Sequence, residues 1–163
     1  MPNEIPINPD FELWTAGDVA DPDGWSSTGT SHVVSKESTI VKTGTYSAKV
    51  TQLVGACDLN QPFTATKGIA YWKGRTITLG MWIYATDANR VRLAYFDDGY
   101  GTYILSGYHP GDSTWRYLTV TTVVHANATI GYILPHIDNG ASVTVYYDDA
   151  NVSETGENFF LMF

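Results

Sequence analysis

The sequence predicts an all-β fold, a two-sheet antiparallel β-sandwich (jelly roll), and three observations carry that expectation. Apolar and polar residues alternate with period two through successive segments rich in Val, Ile, Thr, Tyr and Trp, the pattern of strands buried on one face. Helical periodicity is absent. Gly, Asp, Asn and Pro separate the segments, and Asp97-Asp98-Gly99 and Asp138-Asn139-Gly140 supply residues that tolerate the positive φ of tight antiparallel connections.

The strands follow in order. The first lies near Phe11 to Trp14, and Ser31 to Lys36, Ser47 to Leu53 and Asp58 to Phe63 come next. In Thr76 to Ala85 the alternation is clearest: Ile77, Leu79, Met81 and Ile83 point one way, and Thr76, Thr78, Trp82 and Tyr84 the other. Val91 to Phe96 and Thr102 to Ser106 flank the first Asp-rich turn. In Trp115 to Val124, Leu118, Val120 and Val124 share a side, opposite Trp115, Tyr117, Thr119 and Thr121. Thr129 to Ile137 and Val143 to Val152 flank the second turn. About ten short strands suit a two-sheet jelly roll. Each sheet of a sandwich buries one inner face, so the aliphatic residues are expected to form the core.

The chain has 163 residues, enough for one domain that buries roughly 70% of its extended surface. That domain is expected over residues 1–157, followed by an apolar tail at 158–163. Hydrophobic residues make up 44% and charged residues 16%, against roughly 25% charged in an average domain, so this is an ordered chain. The net charge of −8 with nine Lys and Arg argues against nucleic acid or an anionic membrane as partner, since both reward a basic patch. Neutral ligands or other proteins suit it better. The single Cys57 rules out an intrachain disulfide framework and reads as a small core residue. The N-terminus has neither a basic start nor an apolar stretch, so no signal peptide is expected; synthesis is expected in a host cytoplasm, with either a virion surface or an extracellular site as destination.

Three sets of residues stand out. The acidic pair Asp148-Asp149 lies inside the strand-like VYYDDANV and Glu12 inside NPDFELW. Carboxylates in a packed sheet need a cation or a set of donors to offset them, and calcium takes six to eight oxygens, mixing carboxylates with carbonyls. Glu12, Asp148 and Asp149 are therefore candidate ligands for a structural Ca2+, with carbonyls from Lys42-Thr43-Gly44 and from Tyr46 and Ser47. The alternative is that these acids accept hydrogen bonds from backbone amides without an ion. Second, the face away from the core carries Trp82, Tyr84, Arg92, Phe96, Trp115 and Tyr117, a platform on which sugar rings would stack while a guanidinium meets hydroxyls; packing alone also favours aromatics in strands. Tyr95, Tyr100, Tyr103 and Tyr108 line its rim or cap the sheet. Third, Phe159, Phe160, Leu161, Met162 and Phe163 form a tail whose exposure would invite aggregation. It packs back on its own sandwich or docks on a partner subunit.

Catalysis has little support. His32, His109, His125 and His136 show no metal-ligand spacing, no Ser occupies a nucleophile elbow, and Asp97 and Asp98 read as turn residues. The segments NPDFELW, PDGW (Pro22 to Trp25), TGTYSAKVTQ (Thr43 to Gln52), KGRTITLGMWIYA (Lys73 to Ala85), GDSTWRYLTVT (Gly111 to Thr121) and the closing YDD together resemble the calcium-containing jelly-roll carbohydrate-binding modules of xylanases and glucanases. They are most similar to the related domains of tailed-phage virion proteins. The resemblance spans Asn8 to about Ser153. It implies the same fold, and a structural calcium held by Glu12, turn carbonyls and Asp148, with Asp149 beside them. It also implies a non-catalytic role, either as a capsid decoration (cement) or fibre module of a bacteriophage bound to other virion proteins or copies of itself, or as a stand-alone module that binds polysaccharide. One fold hosts many functions.

Overall fold

The longest strand explains the architecture. In a computed structural model that describes residues 6–62 and 67–155, β2 runs over Ser47–Pro62 and serves two sheets at once. Its first half pairs with β8 (Val143–Glu154) through Ala48 to Gln52, and its second half with β7 (Gly131–Ile137) through Cys57 to Pro62. β1 (Ser26–Glu37) follows β2 along both halves. The turnover lies at Gly55, where φ is +78°, and at Gly29, where φ is +134°. Only glycine suits Gly29, because a Cβ there would sit 2.6 Å from the Ala56 carbonyl oxygen and from Cys57 Cβ. Register slips on either side of Ser31, and bends of this kind let a strand pass from one layer of a sandwich to the other.

The remaining elements are α1 (Ile69–Trp72), β3 (Thr76–Ala85), β4 (Val91–Asp97), β5 (Thr102–Leu105) and β6 (Thr114–Val123). The strand order is β5-β4-β7-β2-β8-β3-β6, with β1 on β2 and antiparallel pairing at each contact. Folded at β2, this ladder gives two layers: β5, β4, β7 and the second half of β2 in one, and β6, β3, β8 and its first half in the other. Between them lie Ile77, Leu79, Met81 and Ile83 of β3, Leu93 and Tyr95 of β4, Ile133 and Ile137 of β7, and Val145 and Tyr147 of β8, all buried. Each such side chain contributes roughly 1.5–3 kcal/mol by leaving water. Cys57 is buried with them, and burial pushes its thiol up to about 11.

Two expectations need correction. Phe11 to Trp14 is not a strand. Phe11 takes a positive φ of 52°, buries its ring against Trp25 at 5.0 Å, and so plugs one end of the core instead of extending a ladder. The Asn8 side chain fixes this loop by accepting from Leu13 N–H and donating to Leu13 C=O, both at 3.0 Å. Second, Ser47 to Leu53 and Asp58 to Phe63 are one strand, β2, because the Gly55 bend does not break pairing with β1; Phe63 itself lies outside the described residues. The single helical turn α1 leaves the all-β reading intact and places Trp72 in the core; a four-residue helix is too short to show periodicity.

Candidate functional site

The outer face of the β5-β4-β7-β2 layer carries a groove of about 270 Å³ lined by Thr28, Asp58, Asn60, Phe96, Tyr103, Tyr132 and Leu134. Register builds it. Phe96 on β4 lies between Tyr103 on β5 and Tyr132 on β7, while Asp58 on β2 lies between Thr28 on β1 and His136 on β7. Period-two alternation then turns all of these outward together. The Phe96 ring stands edge-on to Tyr103 at 5.8 Å and tilts towards Tyr132 at 6.4 Å.

A chain of charged contacts holds the polar side of the groove. Tyr103 Oη donates to Asp58 Oδ2 at 3.0 Å, His136 Nδ1 meets Asp58 Oδ1 at 2.5 Å, and His136 Nε2 meets Asp138 Oδ1 at 3.2 Å. Arg92 Nη2 donates to both oxygens of Asp138 at 3.0 Å, and its guanidinium lies 4.1 Å from the centre of the Tyr108 ring. Burial works against a charge on His136, but Asp58 and Asp138 outweigh it and hold its pKa above the usual histidine value. Burial likewise tends to raise Asp138, and the Tyr108 hydroxyl and Arg92 bring it below the usual carboxylate range. Burial first, then Asp58, pushes the Tyr103 phenol up to about 12. Fixed carboxylate, amide and hydroxyl groups thus stand beside three aromatic rings.

The aromatic platform expected from sequence divides between two faces. Trp82, Tyr84, Trp115 and Tyr117 do come together, on the outer face of β3 and β6, where Trp82 opposes Tyr117 and Tyr84 opposes Trp115. Ring centres are 5.3 Å and 5.8 Å apart in these pairs, and Tyr146 of β8 extends the row at 5.6 Å from Tyr84. Lys42 Nζ lies 4.1 Å from the centre of the Trp82 ring. Arg92 and Phe96 do not belong to this row. They lie on β4, in the other layer, and join the groove described above. Tyr95 is not at a rim: it is buried and donates to Asp97 Oδ2 at 2.9 Å, whereas Tyr100, Tyr103 and Tyr108 are exposed. Asp58, Asn60, Tyr132 and His136 were missed, although outward positions in Asp58 to Phe63 and Thr129 to Ile137 carried the same alternating signal.

Glu12, Asp148 and Asp149 converge on one turn, residues 42–46. Glu12 Oε1 accepts from the amides of Thr45 at 2.7 Å and Tyr46 at 2.9 Å. Asp148 Oδ2 accepts from the amides of Lys42 at 2.9 Å and Thr43 at 3.1 Å, and Oδ1 from Asp149 N–H at 2.9 Å. Thr43 Oγ1 donates to Asp149 Oδ2 at 2.8 Å. Gly44 suits the turn because its φ is +69°, a left-handed backbone, and a Cβ there would also push against the Glu12 carboxylate. Asp148 is fully buried, and that burial, aided by the charge of Asp149, lifts its pKa to about 6 against the pull of the turn amides. The carboxylates are oxygen donors of the kind calcium takes, yet backbone amides already meet Glu12 and Asp148, as in the alternative without an ion. Among the described residues no group of three or more His, Cys, Asp or Glu side chains is placed to hold a metal, so an ion here would depend on carbonyls of the turn. Phe159, Phe160, Leu161, Met162 and Phe163 lie outside the described residues.

No protein-family model matches the sequence, and no curated relative matches it. Solved structures do. The CBM22-1 xylan-binding domain of Paenibacillus barcinonensis Xyn10C has a TM-score of 0.67 at 13% identity, over 89% of this chain and 90% of that one. TmCBM61, solved with β-1,4-galactotriose, has a TM-score of 0.62 at 16% identity, over 90% and 95%. An enzymatically active domain of tailspike protein 4 of bacteriophage CBA120 has a TM-score of 0.58 at 15% identity, over 81% of this chain but only 19% of that one. At such identities the likeness is one of fold. The two-layer antiparallel sandwich and these superpositions give the same answer: the chain folds as a jelly roll of the carbohydrate-binding-module type.

Proposed function

We propose that the chain is a non-catalytic glycan-binding module whose ligand lies in the groove between Asp58, Asn60, Phe96, Tyr103 and Tyr132. The observation that carries this reading is the convergence of three rings with a carboxylate, an amide and a hydroxyl on one open face. Rings cover the apolar faces of pyranosides, and the polar groups meet sugar hydroxyls. Because His136 and Tyr103 already hold Asp58, little side-chain freedom is lost on binding. A neutral ligand suits a chain of net charge −8, which repels acidic glycans. Likeness to a xylan-binding domain and to a module solved with galactotriose supports a polysaccharide. The test is an array of neutral oligosaccharides that includes xylohexaose and β-1,4-galactotriose. Tyr103→Ala and Asn60→Ala should each weaken retention about tenfold or more, the cost of one or two lost contacts, with unchanged melting. Silence of the wild type, or full retention by both variants, refutes the reading.

Likeness to a phage tailspike domain supports a second reading, in which the module sits on a virion as a capsid decoration or fibre component beside other virion proteins. Immunogold labelling of purified particles with antibody to this chain should then decorate them, and unlabelled particles would exclude it. A structural calcium ion at Glu12 and Asp148, next to Asp149, completes the proposal under either reading.

A further inference from the structure

A second groove lies on the opposite face of the sandwich, and the backbone is specially shaped to make it. β3 and β8 pair at Thr78 with Ser153, Leu79 with Val152 and Gly80 with Asn151, then slip, and resume at Trp82 with Asp148. Asp149 and Ala150 together therefore oppose the single Met81, which is a β-bulge. Bulges re-aim side chains and concentrate beside binding sites. Asp149 adopts a φ of +46°, a conformation that non-glycine residues adopt rarely. The result is a groove of about 480 Å³ with Trp82 and Tyr117 as one wall, Asp149 and Asn151 as polar lining, and Pro6 and Pro9 completing it. Two further features fix its shape. Ala150 N–H donates to the Pro9 carbonyl at 2.8 Å, which stitches the N-terminal segment to the bulge. Gly80 leaves room for Tyr117, whose hydroxyl a Cβ there would strike.

We propose that this groove is a second carbohydrate site, taking one or two neutral pyranose units, so that the module engages two glycan segments on opposite faces. The proposal rests on the glycan-binding reading given above. Its volume falls within the range of small-ligand sites. The Trp82 and Tyr117 rings, 5.3 Å apart and inclined at 54°, offer a stacking wall, and Tyr117 is 43% exposed. The Asp149 carboxylate and the Asn151 amide suit hydroxyl donors, and the carboxylate disfavours acidic sugars. A protein strand fits poorly here. β3 and β8 are interior strands paired on both sides, so neither offers a free edge for strand addition within the groove. Two sites on one rigid sandwich would convert modest single-site affinities into avidity for a polysaccharide or cross-link two of its chains.

The same array and titration calorimetry test this with the wild type, Trp82→Ala, Tyr103→Ala and the double variant; Tyr117→Ala replaces Trp82→Ala if the latter fails to fold. The array's strongest neutral oligosaccharide serves as probe. Two ligands per chain are expected for the wild type, one for each single variant and none for the double. Full binding by Trp82→Ala, or complete loss in Tyr103→Ala alone, overturns the second site while leaving the first groove standing. Loss in Trp82→Ala without any in Tyr103→Ala supports the second groove and removes the first. A wild type that binds nothing removes both. Conversion of a dimer to a monomer by Trp82→Ala in sedimentation assigns the face to a protein partner and overturns the proposal.

Discussion

Asp148 ties stability to pH in a way that can be measured, and the same measurement tests the proposed calcium ion. Its pKa is about 6 in the folded chain, against an ordinary value of 3.8, so the native state binds this proton more tightly than the unfolded state does. The sign follows from linkage: the contribution favours folding fully below about pH 4, declines as pH rises and is lost above about pH 6. A difference of about two units at about 1.36 kcal/mol each sets the loss at about 3 kcal/mol. Aspartates held below their usual range, such as Asp138, act in the opposite direction, so the total pH profile does not isolate Asp148. The difference between wild type and Asp148→Asn does. In chelator, urea unfolding from pH 4 to pH 8 should show the wild type losing about 3 kcal/mol relative to the variant. Added calcium should restore the wild type above pH 6, where the carboxylate is ionised, and leave the variant unmoved. A difference curve flat between pH 4 and pH 7 refutes the buried-charge argument. A sloping curve with no response to calcium keeps the buried charge and removes the ion.

Gly29→Ala should lower the urea midpoint by roughly 1–3 kcal/mol equivalent, since it forces a side chain into a left-handed backbone against Ala56 and Cys57; an unchanged midpoint would show that the bend at β1 and β2 relaxes freely. Deleting residues 158–163 should leave the melting transition in place, because Thr155 N–H to Thr76 C=O at 2.8 Å and the Arg75–Glu154 pair already close β8. A fall of several degrees would make the apolar tail part of the core and end its docking role.

The fold was legible because alternation is a local property. Thr76 to Ala85 matches β3 residue for residue, since Ile77, Leu79, Met81, Ile83 and Ala85, buried at strict alternation, leave no other way to face a core. Length and continuity were harder. Nothing local tells a Gly55 that bends one strand from a glycine that ends it; the difference lies in whether β1 continues to pair across the bend. Phe11 misled for a related reason. Its apolar neighbours Leu13 and Trp14 give a strand-like pattern, but Trp14 Nε1 turns back to donate to Phe11 C=O at 2.5 Å, and that side-chain bond holds a loop.

The candidate sites were half legible, and the missing half has one cause. Period two assigns a residue to the inner or outer side of its own sheet, but not to one layer or the other. Arg92 and Trp82 therefore share an outward parity while standing on opposite surfaces of the molecule, because the ladder folds over at β2. The polar members of the first groove show the same thing. Asp58 gains its setting only when β7 brings His136 alongside and β5 brings Tyr103 over the top, contacts across 78 and 45 residues of sequence. The bulge at Asp149 is the reverse case: the sequence singled out the acidic pair as costly in a sheet, and the sheet answers by bulging, with both carboxylates reaching donors of the 42–46 turn. Asp148 turns inward to the amides of the 42–46 turn, whereas Asp149 accepts from Thr43 Oγ1 on the exposed side of the same turn and borders Trp82 and Tyr117. One pair of adjacent acids thereby serves both the stability of the fold and the shape of its outer surface.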